Sequence, residues 1–513
     1  MALETWFQQW HSPFLHNEPV HLRNITNERK TYSNPTRFFP IFWSLNLLKS
    51  HGKKQPIKEQ HYEATNNDFQ IPKEFYENSP LDFPDPFEEP HSKIQQNKSN
   101  NYTLNEKPLE VTGPFKTWYK WKTLDFVYPT TEAKYQALAN GDLIKENNLP
   151  LGIEVYKHRI FLAMPKWKRG VPITLAQLPR YPKEESPDLA PYPNWGWHSE
   201  KNCELITSVF RMQVDECGRM WVLDSGKVSI TTEEAKQHCP PKLLIFDLET
   251  DQLVTMYVFS KKFILEDGLY SNIVVDIRNG YCSDAYAYMS DVWRFGIVVY
   301  RLFDGEAWRI SNHFFYPDPM ASLYKLHHLK FHWMDGVFGM ALSPVNRNGD
   351  RLMYFHSMSG YHEFSVQTSY LRNEIHLEKE DAFNVIGQSR GDQGHVSSSV
   401  MDSNGVMFFN LVTKDSIGCW DSRKPYKREN LAVVAKNKKT LVFPNDIRLD
   451  QDSKKQSMWI ITNRLPYYLI EGLDTTKYNF RVMSAYTDEA IKGTICDPNV
   501  FNPSTFVPHQ DCE

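Results

Sequence analysis

Six segments of this chain share one form: an apolar run, a short turn, and a second apolar run. The clearest are SVFRMQVDECGRMWVLDSG at residues 208–226, NIVVDIRNGYCSDAYAYMSD at 272–291, VSSSVMDSNGVMFFNLV at 396–412 and NDIRLDQDSKKQSMWIITNR at 445–464. Two looser versions, GIEVYKHRIFLAMPK at 152–166 and FGMALSPVNRNGDRLMYFHS at 338–357, complete the set. With Tyr156, Asp215, Asp276, Ser343, Asp402 and Asp450 as the turn residues, successive separations are 59, 61, 67, 59 and 48. A period of that length holds about four strands, because each hairpin supplies two and the intervening residues supply an outer pair. PKLLIFDLET at 241–250 is such a third strand, and GIVVYRL at 296–302 is its counterpart one repeat later. The expectation is an all-β chain, a six-bladed β-propeller with the six turn residues on one face. A set of β-sandwich domains is the alternative, but it would not repeat one hairpin form six times. Helical spacing is confined to residues 131–140 (TEAKYQALAN), with Gly141 as the C-terminal stop.

Residues 1–112 differ in kind. Between positions 71 and 90 lie five prolines and six acids, followed by the polar run HSKIQQNKSNNYTLNEK. Such a segment lacks the apolar content to offset the entropy of ordering, so it reads as a long, mostly disordered extension. The propeller then spans 113–498, and 499–513 form a tail. The 513 residues carry 58 Lys plus Arg against 62 Asp plus Glu, so there is no basic field of the kind a phosphate backbone requires, and nucleic acid is not an expected partner. No run reaches 18 apolar residues; the longest, FFPIFWSLNLL at 38–48, is interrupted by Pro40, Ser44 and Asn46, so no membrane span is expected. The opening MALETWFQQWHSPFLHNEPV is not a secretory signal, and the run at 38–48 reads as a displaced, poor signal core or as a buried segment; an atypical start is expected. Three glycosylation sequons, at Asn24, Asn97 and Asn101, fall in the extension.

The seven cysteines are Cys203, Cys217, Cys239, Cys282, Cys419, Cys496 and Cys512, with no CxxC pair. Cys203 precedes the first strand of the second blade and Cys239 its third, so both lie at one end of an antiparallel meander and can pair. Cys217 and Cys282 occupy matching hairpin tips of adjacent blades; they are bonded or reduced, and spacing does not decide. Cys419 and Cys496 would tie a late blade to the closing segment, leaving Cys512 odd. An intracellular protein with buried thiols is the alternative to an oxidised, secreted one.

The segment at 119–179, together with CELITSVFRMQVDECGRMWVLDSG, CPPKLLIFDL, AYMSDVWRFGIVVY, DGVFGMALSP, FPNDIRL and ITNRLP, resembles the yellow / major royal jelly protein family of insects. The resemblance runs from about Trp118 to Pro498 and leaves residues 1–112 uncovered. It implies a six-bladed propeller, secretion, and a role in cuticle pigmentation, development or small-molecule binding.

No GxSxG, GxGxxG or GxxxxGK[ST] motif is present, so neither a hydrolase elbow nor nucleotide chemistry is indicated. His327, His328 and His332 form the densest histidine cluster, but their aromatic surroundings and the lack of an HExxH acid speak for a loop or strand rather than zinc. No metal site and no cofactor is nominated. Polar residues at inner-strand starts converge on a propeller's channel mouth. Asn445 and Asp446 begin the last inner hairpin, and Asn463 lies at its far end, on the same side. In salivary members of the family that bind biogenic amines, ligand contacts fall in segments resembling FPNDI and NRLP. Carried over by position, this implies Asn445, Asn463 and Leu465, the last standing where relatives often have an aromatic. The expected partner is a small aromatic amine or catechol-like ligand, with extracellular protein partners besides. An enzyme is the alternative, either a dopachrome-converting isomerase or a metal-dependent lactonase.

Overall fold

The computed structural model describes residues 108–199, 201–278, 280–373, 382–450 and 455–500. Six antiparallel sheets form six blades. Their inner strands are Gly152–Tyr156, Val209–Val214, Tyr270–Asp276, Val337–Leu342, Val396–Met401 and Pro444–Leu449, and each touches the next around a closed ring. Burial explains the sequence pattern. Inner and middle strands are covered on both faces by neighbouring blades, so YSNIVVD and SMWIIT are buried at every position instead of alternating. Outermost strands such as Leu253–Val258 and Leu431–Lys436 are only partly buried.

The repeated turn has a chemical cause. Asp215 accepts hydrogen bonds from the backbone N–H groups of Cys217 and Arg219 at 2.9 and 3.0 Å, and Asp402 does the same for Asn404 and Val406 at 2.9 and 2.8 Å. Asn346 holds the fourth blade's turn likewise. A short carboxylate or amide here replaces strand pairing, and the following Gly218 or Gly405 takes the left-handed φ of +73° or +78° that closes the hairpin. All six turn residues lie at the ends of inner strands, on one face of the ring.

The ring is closed by a strand that hairpin counting did not foresee. The sixth sheet has five strands: Phe115–Trp121 pairs with Phe480–Tyr486, and Glu110–Thr112 adds at the edge. The first described strand thus begins before the expected boundary at 113. An N-proximal strand inside the last blade converts an open edge into a latch between the two ends of the domain. The helix Thr131–Asn140 forms as expected, capped by Thr130 and ended by Gly141 at φ +74°.

Three disulfides join Cys203 to Cys239, Cys217 to Cys282 and Cys419 to Cys496. The second staples the hairpin tips of blades two and three, resolving the pair that spacing left open. The third ties blade five to the chain beyond blade six. Cys512, the sequons at Asn24, Asn97 and Asn101, and nearly all of the 1–112 extension lie outside the described residues. With seven cysteines and three disulfides, thiol titration of denatured, unreduced protein is expected to give about one thiol per chain. Seven would place the protein in a reducing compartment. Among the described residues no helix is long and apolar enough to cross a membrane.

Candidate functional site

The axis of the propeller is filled midway by a buried ionic clasp. Arg211, from blade two, donates to the Asn445 carbonyl at 2.7 Å, pairs with Asp446 at 3.2 Å, and lies 4.8 Å from the Phe338 ring. Asp446 accepts from Ser398 Oγ at 2.9 Å and from the Ile153 N–H at 3.1 Å. Arg448 lies between Glu154 at 3.4 Å and Asp446 at 3.5 Å and donates to Asn272 Oδ1 at 3.1 Å, and the Asn272 amide in turn donates to the Phe338 carbonyl. All six blades contribute. Burial pushes the Arg211 guanidinium down to about 10 and, against the pull of Arg448, the Glu154 carboxyl up to about 8.

Of the expected site residues, Asp446 belongs to the clasp itself, and Asn445, Asn463 and Leu465 sit beside it. The Asn445 amide donates to the Leu151 carbonyl at 2.7 Å, and the Asn463 amide donates to the Pro150 carbonyl at 2.8 Å while its oxygen accepts from the Leu465 N–H. Both amides therefore hold the blade one entry segment to blade six. Asn445 and Leu465 also line a cavity of about 70 Å³ at the upper mouth, where the inner strands begin, whereas Asp446 and Asn463 stand behind its wall.

That cavity has walls that sequence reasoning did not nominate. Trp167, Phe210, Trp293, Trp333 and Phe338 line it, with one carboxyl, that of Asp335. Trp167 and Phe210 meet edge to face at 5.5 Å, and Phe210 meets Phe338 at 5.9 Å. Trp293 Nε1 donates to Asp335 Oδ1 at 3.2 Å, which orients the carboxyl, and the Asp335 backbone N–H donates to Ser359 Oγ at 3.1 Å, which holds the main chain. Its apolar surroundings push it up to about 6, with the Trp293 hydrogen bond opposing. The repeat itself carried the signal. Asp335 precedes the inner strand of blade four as FPNDI begins that of blade six, and Trp293 follows the second strand of blade three as Asn463 and Leu465 follow that of blade six. Reading the same two positions in every blade nominates these walls.

The mouth is roofed by the hairpin Leu323–Leu326/Leu329–His332 and the helix Leu465–Ile470. His327 bridges Tyr467 Oη at 2.7 Å and Asp415 at 2.8 Å, and His328 meets Glu471 at 2.7 Å. The histidine cluster thus fastens the roof, in a hairpin rather than a helix. Among the described residues no group of three His, Cys, Asp or Glu side chains is placed to hold a metal ion.

The model of the family described as "Major royal jelly protein" matches residues 207–496. The chain is 42% identical over 401 residues to "Dopaminechrome tautomerase" of Drosophila melanogaster, covering 76% of this chain and 86% of that protein. It is 36% identical over 395 residues to "Protein yellow" of Drosophila erecta, covering 76% and 72%.

Proposed function

Because the chain belongs to the yellow / major royal jelly protein family, we propose that it is a secreted pigment-pathway protein that takes a small catechol-derived aromatic ring into its upper cavity. The observation that carries this reading is a single oriented carboxyl, Asp335, inside an aromatic wall. Indole faces attract a planar, electron-poor or cationic ring, and a carboxylate offers the countercharge for an amine. Three disulfides support an oxidising, extracellular setting.

A chemical step follows from the same group. Tautomerising an aminochrome such as dopaminechrome to its dihydroxyindole moves two protons, one from each of two adjacent ring carbons, to the two quinone oxygens, with no net redox change and no water consumed. It begins with the loss of one carbon-bound proton. A carboxyl with a pKa of about 6 is half-poised near neutrality to take that proton. The lactonase alternative fits less well, since Arg211 and Arg448 place two guanidinium groups on the axis where such an enzyme would hold a divalent cation.

A benzene-sized ring needs a cavity of roughly 150 Å³, so a space of about 70 Å³ has to widen. Trp333 and Leu469, wall side chains that are only half-buried, would have to move, leaving the Trp293–Asp335 hydrogen bond in place. The test is therefore double: purified protein is titrated with dopamine while tryptophan emission is followed, and the decay of dopaminechrome absorbance is timed with and without protein. Saturable emission change and a decay rate proportional to protein are expected. Emission change without accelerated decay would leave a binding protein, and neither would end the proposal.

A further inference from the structure

The opposite, lower mouth is where the six hairpin turns converge, and four of those turn residues are aspartates. Three of them hold an arginine. Asp215 pairs with Arg219 at 2.8 Å, Asp450 with Arg180 at 2.5 Å, and Asp276 with Arg372 at 2.9 Å, with Arg351 at 3.3 Å behind it. The fourth, Asp402, forms no ion pair among the described residues. Its Oδ1 is committed to the turn, accepting from Asn404 and Val406, while its Oδ2 is buried and without a partner. Arg423, which acts on it from a distance, is paired with Asp421 at 2.7 Å. Nearby in sequence, Ser399 Oγ is likewise buried without a partner. The two residues are each 1% exposed, and both line a cavity of about 280 Å³ together with Glu154, Arg351 and Arg448.

A buried carboxylate without a countercharge is unfavourable, and in the sister turns a guanidinium removes the problem. Blade five leaves that position to something from outside. We propose that the lower mouth is a second ligand site, which takes a small organic cation whose ammonium or guanidinium group docks on Asp402, with its remainder in the cavity that Ser399 and Glu154 also line. A metal ion fits poorly, because calcium takes six to eight oxygen ligands and among the described residues no group of three His, Cys, Asp or Glu side chains is placed to hold one. The volume approaches that of an ordinary small-molecule pocket. The ionic clasp around Arg211 and Asp446 lies between this mouth and the aromatic cavity, so the two sites are separate.

The site has a proton signature. Burial raises the Asp402 carboxyl above the usual range and Glu154 to about 8, so at pH 7 Glu154 holds its proton. A cation arriving beside it favours ionisation, and binding releases a proton to the buffer.

Agmatine is a suitable probe, since it carries both cationic groups and has no aromatic ring for the upper cavity. Calorimetric titration at pH 7, in phosphate and in Tris at equal ionic strength, is expected to show saturable binding at one site, with heats that differ between buffers by the ionisation enthalpy of the released proton. Asp402→Asn keeps the Oδ1 acceptor that holds the turn, and should weaken binding at least ten-fold without lowering the thermal midpoint. Ser399→Ala should weaken it a few-fold, and Asp335→Asn, at the other mouth, not at all. No saturable heat up to about 10 mM agmatine, or equal affinity in Asp402→Asn, would overturn the proposal whatever becomes of the aromatic cavity.

Discussion

Asp446→Ala is expected to lower the free energy of unfolding by about 3–5 kcal/mol, read as a large fall in the urea midpoint. Asp446 is fully buried, and its two oxygens serve Ser398, Ile447, Ile153, Arg211 and Arg448. Removing it leaves Arg211, also fully buried, with the Asn445 and Ser397 carbonyls but no anion within reach, next to a second guanidinium. The cost is that of an uncompensated buried charge, which exceeds the net worth of the pair itself. Asp446→Asn keeps the acceptor for Ser398 and should fall in between. Sequence alone pointed to Asp446 as a ligand contact. A ligand role would appear as lost affinity with the urea midpoint unmoved, and a loss below about 1 kcal/mol would dissolve the clasp as the axial tie between blades.

The architecture was legible because it rests on local chemistry. Turns such as DECG and DSNG cap their own backbone, and four-residue to eight-residue apolar runs can only be strands when their separations are this regular. The closing strand Phe115–Trp121 was not legible, since its partner Phe480–Tyr486 lies some 360 residues away and no turn marks the pairing. The site was half legible for a related reason. Strand starts pointed to the upper mouth, and Asn445 and Leu465 line the cavity there. Whether an amide faces a ligand or a neighbouring carbonyl depends on the entry segment at Pro150 and Leu151, which the fold brings over from blade one. The aromatic wall is assembled one residue or two per blade, so no single stretch of sequence displays it. Asp335 stood inside a quoted segment, DGVFGMALSP, but only the rotation of six repeats onto one axis gives it a place beside Trp293.

Asp335→Asn should reduce dopaminechrome turnover by about 10²–10⁴-fold, the range over which a positioned general base contributes. The amide oxygen still accepts from Trp293 Nε1, so the wall keeps its geometry and ring binding should hold within a few-fold. A fall in kcat with KM nearly unchanged separates proton transfer from mere attraction of an amine, which would raise KM instead. The pH profile gives an independent sign. The acting form is the carboxylate, so turnover should rise with pH through about 6 and then level off, and this acid limb should vanish in the variant. Stability moves the other way. A carboxyl whose folded pKa is raised above its unfolded value favours the folded state at low pH and loses that contribution as pH rises through about 6. At neutral pH the variant, with no charge to bury, should therefore unfold no earlier than the parent protein. A variant that unfolds early would make Asp335 a structural residue, and one that retains both rate and acid limb would move the proton acceptor elsewhere in the cavity.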